Sequence, residues 1–347
     1  MTTYNRLPVA FVSGEGSWLI DDKGERYLDA LSGISVCNIG HSNPKITATI
    51  CEQAGRLMHT SNLYEVPLQA QLADRLIELS GLDQVFFCNS GAEANEAAIK
   101  LCRKSASQRG MTKPVIVVMQ GSFHGRTMAT LSATGNSKVH EGFSPLVQGF
   151  HHLPYDDLDA LNGLVDQNME VIAVMLEPIQ GEGGVVIPSE GYLRAVREIC
   201  TKNNWLMVVD EIQTGMCRTG LWFACQHENV SPDIMTLAKS LGNGVPIGAC
   251  IANTGAAEAM NPGSHGSTFG GNPLAASTAL AVIEYMTENH LPERVSYLGE
   301  MMLSRFRKEL GGLAEVVNIR GKGLMIGIQL DRDCAQLVKL ALERKLL

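Results

Sequence analysis

An α/β layered domain built on a buried, mostly parallel sheet is the fold class this sequence predicts. Three observations carry it. Short apolar runs recur at Val85–Cys88, Val115–Met119, Val171–Leu176, Leu206–Val209 and Ala249–Ala252. Helical stretches fall between several of them, notably Ala92–Lys104 and Tyr192–Lys202. The runs are near-continuous in apolar residues rather than alternating, which is the pattern of strands covered on both faces.

Before the first run, residues 16–31 predict a hairpin, with Asp22-Lys23-Gly24 as its turn. The loop Ser32-Gly-Ile-Ser-Val-Cys-Asn-Ile-Gly-His41 follows. Asn43-Pro44 opens a helix that runs to about Leu57. Leu68, Leu72, Leu76 and Leu79 recur at helical spacing and predict a second. After Asn272 the pattern changes. Pro273–His290 and Pro292–Leu310 predict long helices, Val316–Leu330 a strand broken by Gly321 and Gly323, and Ala335–Leu347 a last helix. The expected division is an N-terminal segment over 1–45 that belongs to a small domain, a large domain over 46–285, and a C-terminal small domain over 286–347.

Composition narrows the function classes. The 347 residues are 45% hydrophobic and 18% charged, as in globular proteins, with a net charge of −8. No basic tract offsets that charge, which argues against nucleic acid as a partner. No run is long enough to span a bilayer, and Met1-Thr-Thr-Tyr-Asn-Arg-Leu-Pro has no signal-peptide core, so a cytoplasmic protein away from the membrane is expected. The nine cysteines are scattered without a Cys-x-x-Cys pair, and the nine histidines include no His-Glu-x-x-His. Reduced thiols are expected, and no metal.

In open α/β sheets ligands bind beyond the carboxyl ends of the strands, so the residues just after each run are the candidates. After Val85–Cys88 comes Asn89-Ser-Gly-Ala-Glu-Ala-Asn-Glu96. Ser90 and Glu93 form a capping box, and Gly91 also lets a phosphate approach the free amides at the helix start. After Val115–Met119 comes Gln120-Gly-Ser-Phe-His-Gly-Arg-Thr127. Phe123 suits core packing or a flat ring; Arg126 suits the surface or a substrate carboxylate. After Val171–Leu176 comes Glu177-Pro-Ile-Gln-Gly-Glu-Gly-Gly184, whose two acids are either solvated or counter an arginine. After Leu206–Val209 comes Asp210, costly to bury without a cationic partner, with Gln213 beyond it.

Lys239 is the centre of the pattern. A lone lysine is usually a solvated surface group. Here Ile234, Met235, Leu237 and Ala238 make its neighbourhood apolar. A lysine held in such a place tends to lose its proton, and the neutral amine attacks aldehydes. If the aldehyde is pyridoxal phosphate, Asp210 is the expected partner of the pyridine nitrogen and Gln213 reaches the ring hydroxyl. No Walker lysine motif and no convincing Gly-x-Gly-x-x-Gly turn favours a nucleotide instead. A silent α/β binding or scaffold protein is the remaining class, separable by the absence of a yellow bound cofactor.

These residues resemble the class III (ω-amino acid) pyridoxal-phosphate aminotransferases, from about Leu7 to the last residue. The resemblance rests on Asn89–Glu96, Phe123-His-Gly-Arg-Thr127, Glu177–Gly184, Asp210-Glu-Ile-Gln-Thr-Gly215, Lys239-Ser240 and His265-Gly-Ser-Thr-Phe-Gly-Gly-Asn-Pro273. It implies a fold-type-I large domain, with a mostly parallel seven-stranded sheet between helices, and a smaller α+β domain. It implies that Lys239 holds pyridoxal 5'-phosphate covalently and moves the proton, that Asp210 pairs with the ring nitrogen, and that Gln213 meets the ring oxygen. Ser90, Gly91 and Ala92 then form the phosphate seat, Phe123 stacks on the ring, and Arg126 holds a substrate carboxylate. Thr268 reaches the phosphate of the other subunit of a homodimer or dimer of dimers, with Ser267 beside it near the substrate.

The resemblance carries two further expectations. Family members continue past the position of Leu347 with a second arginine, which pairs with the glutamate matching Glu182 in one half-reaction. Arg320, Arg332 and Arg344 do not sit in that motif, so the expectation is either a chain shortened at its C-terminus or an impaired second half-reaction. In ornithine-specific members a tyrosine stands where this chain has Ile34. An isoleucine cannot hydrogen-bond a free α-ammonium, so donors without that charge are expected.

Overall fold

The computed structural model describes residues 1–165, 167 and 169–347. Its centre is a seven-stranded sheet. The strands of the chain are β1 (Phe11–Glu15), β2 (Trp18–Asp21), β3 (Arg26–Leu28), β4 (Gln84–Cys88), β5 (Val115–Met119), β6 (Phe150–Leu153), β7 (Val171–Leu176), β8 (Leu206–Asp210), β9 (Ile234–Leu237), β10 (Gly248–Ala252), β11 (Val316–Lys322) and β12 (Met325–Leu330). The central order is β4-β10-β9-β8-β7-β5-β6. Neighbours are parallel except the two pairs that β10 makes with β4 and β9.

The apolar runs become strands because both faces of this sheet are covered. Along β5, β7 and β8 successive side chains point to opposite faces. Val117, Val174 and Val209 join one core, and Ile116, Met175 and Val208 join the other. The first core is closed by the helices Pro67–Ser80, Tyr192–Lys202 and Pro273–Glu288, through Leu72, Leu76, Val196, Ala279 and Met286. The second is closed by Gly91–Gln108, through Ala98, Leu101 and Cys102. The result is a three-layer α/β/α sandwich, as the strand-helix alternation predicts.

Two central strands carry no clear signal in the sequence. β6 contains His151 and His152 and lies at the sheet edge, where burial on both faces is not required. β9 is the apolar lead-up to Lys239 and is too short to be told from a buried turn. At the N-terminus the predicted hairpin gains a third strand, β1. Its turn is held by Asp21, whose Oδ1 accepts from Lys23 N at 3.0 Å and Glu25 N at 2.8 Å. The single strand predicted over 316–330 is instead the hairpin β11–β12. Gly323, at φ +55, makes the turn between them. The N-terminal sheet meets the chain's other end, where Leu28 N donates to Lys345 O at 2.8 Å.

The carboxyl ends of β4, β5, β7, β8 and β9 and the amino end of β10 lie along one edge of the sheet. That edge carries the residues that sequence reasoning singles out.

Candidate active site

A cavity of about 370 Å³ opens at this edge. Ser90, Gly91, Ala92, Phe123, Arg126, Asp210, Gln213 and Lys239 all line it. They come from four strand ends that are remote in the chain, so the parallel topology itself assembles the site.

Asp210 closes β8 and is only 3% exposed. Its Oδ2 accepts from Asn95 Nδ2 at 2.7 Å and from His124 Nδ1 at 2.8 Å, and its Oδ1 from Ile212 N at 3.1 Å. A carboxylate is an acceptor only, so the His124 hydrogen sits on Nδ1. His124 Nε2 is buried with no partner among the described residues. Asn95 is held in turn, accepting from Thr236 Oγ1 at 2.8 Å and donating to His124 O at 2.7 Å. Helix, loop and two strands thus aim one carboxylate into the cavity.

Lys239 follows β9 and starts a 3₁₀ turn at φ +47. It is partly buried, and that burial lowers its pKa, while the carboxylates of Asp210, Glu182 and Glu177 pull the other way. The net direction is down, towards the free amine.

Glu177 is the second buried acid of the site, at 3% exposure. Its Oε1 accepts from Phe123 N at 2.9 Å and its Oε2 from Gly181 N at 3.1 Å. One side chain therefore ties the Phe123 loop to the Gly-rich loop after β7. Burial pushes the Glu177 carboxyl up to about 7; His124 opposes that rise and Asp210 adds to it. The sequence leaves Glu177 either solvated or opposite an arginine, and the structure does neither.

Ser90 caps the helix Gly91–Gln108, with its hydroxyl accepting from Glu93 N at 3.2 Å. Glu93 reaches back to Asn89 N rather than to Ser90, so the capping box is displaced by one residue. The first helical amides, at Gly91 and Ala92, have no intrahelical acceptor, as at any helix start. Gly91 is required by packing: a Cβ there would lie 2.8 Å from Ile212 Cδ1. Arg126 is exposed at the mouth, its guanidinium 5.4 Å from the Phe123 ring centroid. Gln213 Nε2 is 3.4 Å from Oε1 of Glu182, which is itself exposed.

Ser267 and Thr268 are not in this cavity. They line a neighbouring one, of about 620 Å³, with His59, Leu63 and Gln69. Asn89 joins the two, lining the first and donating to Ser267 Oγ at 3.2 Å.

The loop ahead of the site is a strained turn. Ser32, Gly33, Ile34 and Ser35 take φ of 55, 62, 63 and 60. This left-handed region costs an ordinary residue roughly 1–2 kcal/mol, and a β-branched side chain such as Ile34 is a marked outlier there. Val36, next along, lines the cavity.

Pyridoxal phosphate fits these residues. The cavity is within the range of about 300–1,000 Å³ usual for such ligands. The buried Asp210 is bonded to an amide, an imidazole and a backbone N–H, with no lysine or arginine hydrogen-bonded to it among the described residues. An acid so placed is stabilised by a cation, such as a protonated ring nitrogen. The open amides at Gly91 and Ala92 suit a phosphate. Sequence reasoning misses Asn95, His124 and Thr236 because their part is played through space; only the presence of Asn95 and His124 in the quoted motifs hints at it.

Residues 2–346 match the family model described as aminotransferase class-III. The acetylornithine aminotransferase of Nitrosomonas europaea is 54% identical over all of this chain and 88% of its own length. Among solved structures, the ornithine aminotransferase of Toxoplasma gondii superposes with a TM-score of 0.96 at 36% identity, over 100% of this chain and 84% of that one. The acetylornithine aminotransferase of Elizabethkingia anophelis gives a TM-score of 0.88 at 37% identity, over 100% and 87%. The chain belongs to the class-III aminotransferase family, whose cofactor is pyridoxal phosphate.

Proposed function

We propose that this chain moves the terminal amine of N2-acetyl-L-ornithine to 2-oxoglutarate, giving N-acetylglutamate semialdehyde and glutamate, a step of arginine biosynthesis. The observation that carries the reading is the convergence of a partly buried lysine, a buried acid and an exposed arginine on one cavity. The named relatives support the donor.

Bound pyridoxal phosphate supplies an electron sink for the carbanion left by proton removal. The chain's own residues do the rest. Lys239, its amine favoured by burial, holds the cofactor covalently and then carries the proton to and from the substrate carbon. Asp210 keeps a proton on the ring nitrogen, and His124 and Asn95 keep Asp210 aimed. Phe123 stacks on the ring, Gln213 meets the ring oxygen, and Ser90, Gly91 and Ala92 seat the phosphate. Arg126 grips a substrate carboxylate, and Glu182 and Ser267 attend the substrate. Ile34 offers no partner to a free α-ammonium, whereas an acetylated amine carries no charge.

The active unit of this reading is a homodimer in which Thr268 completes the partner's phosphate seat. Leu57, Met58, Leu63, Tyr64 and Phe269, all exposed and large, are the surface it would bury. The division at about residues 45 and 285 is kept as the domain scheme. Among the described residues no helix is long and apolar enough to cross a membrane, and all nine cysteines are free; this reading places the enzyme in the cytoplasm, where thiols stay reduced.

The test is kcat/KM with 2-oxoglutarate for four donors: N-acetylornithine, succinyl-diaminopimelate, ornithine and 4-aminobutyrate. N-acetylornithine should be best, with activity on the succinylated analogue. An apolar wall discriminates by about 10–200-fold per methylene-sized difference, so a clear but incomplete preference over ornithine is expected. A higher value for ornithine or 4-aminobutyrate contradicts the donor and leaves the cofactor chemistry standing.

A further inference from the structure

Arg218 lies outside the cavity just described, yet it holds one of the segments that form its wall. Its Nη2 donates to Ser32 Oγ at 2.9 Å and also to Asn38 Oδ1. Asn38 continues the tether, donating from Nδ2 to Met216 O at 2.9 Å. A second tether lies alongside. Asn243 accepts from Ile39 N at 3.2 Å and donates to Gly40 O at 3.0 Å. A third holds the entry to the turn. Asp29 accepts from Ser32 N at 2.7 Å, and its other oxygen lies 2.7 Å from His41 Nε2.

Between these tethers lies the left-handed turn Ser32–Ser35. Left-handed backbone is also concentrated where the tethers land: Met216, Cys217, Lys239 and Asn243 have φ of 53, 68, 47 and 45. Strained backbone persists only where the surroundings over-determine it. Here the surroundings are the ends of β8 and β9 and the loops that follow them, which carry Asp210, Gln213 and Lys239. Ile34 is thereby placed by the same framework that places the catalytic groups.

We propose that Arg218 is a positioning residue for donor selection, holding through Ser32 and Asn38 the turn that leads into Val36, which lines the cavity, while Ile34, 49% exposed, stands outside that lining. This rests on the reading of Ile34 as a wall for the donor's head. Without the guanidinium, Ser32 and Asn38 lose their shared donor. The turn is then free to leave the left-handed region, and Ile34 and Val36 move from their place. Arg218 is suited to this work because little else competes for it. Its Nε is buried without a partner among the described residues, and Asp29 and Cys37 are the acidic groups that face it.

The experiment measures kcat and KM for N-acetylornithine and for ornithine in the holoenzyme, in Arg218→Met and in Arg218→Lys. Ser32→Ala and Asn38→Ala remove the acceptors and serve where an Arg218 variant does not fold. The ratio of the two kcat/KM values should move about ten-fold towards unity in Arg218→Met, chiefly through KM for N-acetylornithine. Arg218→Lys recovers part of it, Asn38→Ala shifts it the same way, and the cofactor absorption band stays unchanged. Equal losses on both donors, or an unchanged ratio in Ser32→Ala and Asn38→Ala, overturn it. A wild-type enzyme faster on ornithine would overturn the donor reading instead; the change of ratio in the variants still decides the role of Arg218.

Discussion

Two aspartates flank the central sheet at opposite edges, and they are treated differently. Asp233, ahead of β9 at the amino edge, has a complete set of partners. Its Oδ2 accepts from Arg197 Nη1 at 2.6 Å and from Met207 N at 2.7 Å, and its Oδ1 from Asn253 Nδ2 at 2.8 Å. Asp210, at the carboxyl end of β8, is more deeply buried, and among the described residues none of its hydrogen-bond donors is a lysine or arginine. Burying an acid with no lysine or arginine bonded to it is costly, so the protein keeps at Asp210 an arrangement that stability alone does not favour. Burial by itself does not distinguish the two roles. Glu211, next to Asp210 in sequence, is 1% exposed, and burial raises its pKa. It accepts from Cys225 N at 2.8 Å and from the Thr214 hydroxyl, so it staples a loop and is absent from the cavity lining. What separates the edges is an acid aimed into open space.

Paired substitutions at the two aspartates sharpen this contrast most. Asp210→Asn should slow proton removal in single-turnover kinetics by about 10²–10⁴-fold while the fold persists. Asp233→Asn should leave the rate per active site near wild type and lower the unfolding free energy by about 1–3 kcal/mol, through loss of a charge-assisted bond. Near-normal single-turnover rates in Asp210→Asn would erase the distinction.

A smaller effect is expected at Glu177, in the dependence of stability on pH. Its folded pKa of about 7 is above the ordinary value of 4.5. The folded state therefore holds this proton more tightly than the unfolded one. The stability it contributes is full below about 4.5 and is lost as the pH rises through 7. Melting temperatures of wild type and Glu177→Gln, compared over about pH 5 to 8, should differ by an amount that falls as the pH rises. A gap that does not change with pH would show that Glu177 does not titrate in this window.

Much of this is legible in the sequence, for reasons that can be located. β5, β7 and β8 announce themselves because both of their faces are buried. Lys239, Asp210, Gln213, Phe123, Arg126 and Ser90–Ala92 stand out because each lies just past such a run. β6 is hidden by its edge position and its histidines. Asn95 and His124 have no role that the sequence shows, because their bonds to Asp210 span 115 and 86 positions of chain, which no local pattern encodes. Arg218 is silent for the same reason, reaching Ser32 across 186 positions. Arg320 falls outside the family's second-arginine motif, yet the fold gives it work. It donates to Val185 O at 2.8 Å and Gly184 O at 2.6 Å, and so ties β11 to the loop that carries Glu182.

Everything proposed for the site depends on the amine at Lys239 being the chain's covalent attachment point for its cofactor. Reducing the pyridoxal-phosphate holoenzyme with borohydride and mapping the labelled peptide tests this directly. The expected result is one label per chain, on Lys239, and none in Lys239→Ala, which also loses turnover. A label carried by another lysine, or full turnover in Lys239→Ala, would contradict it.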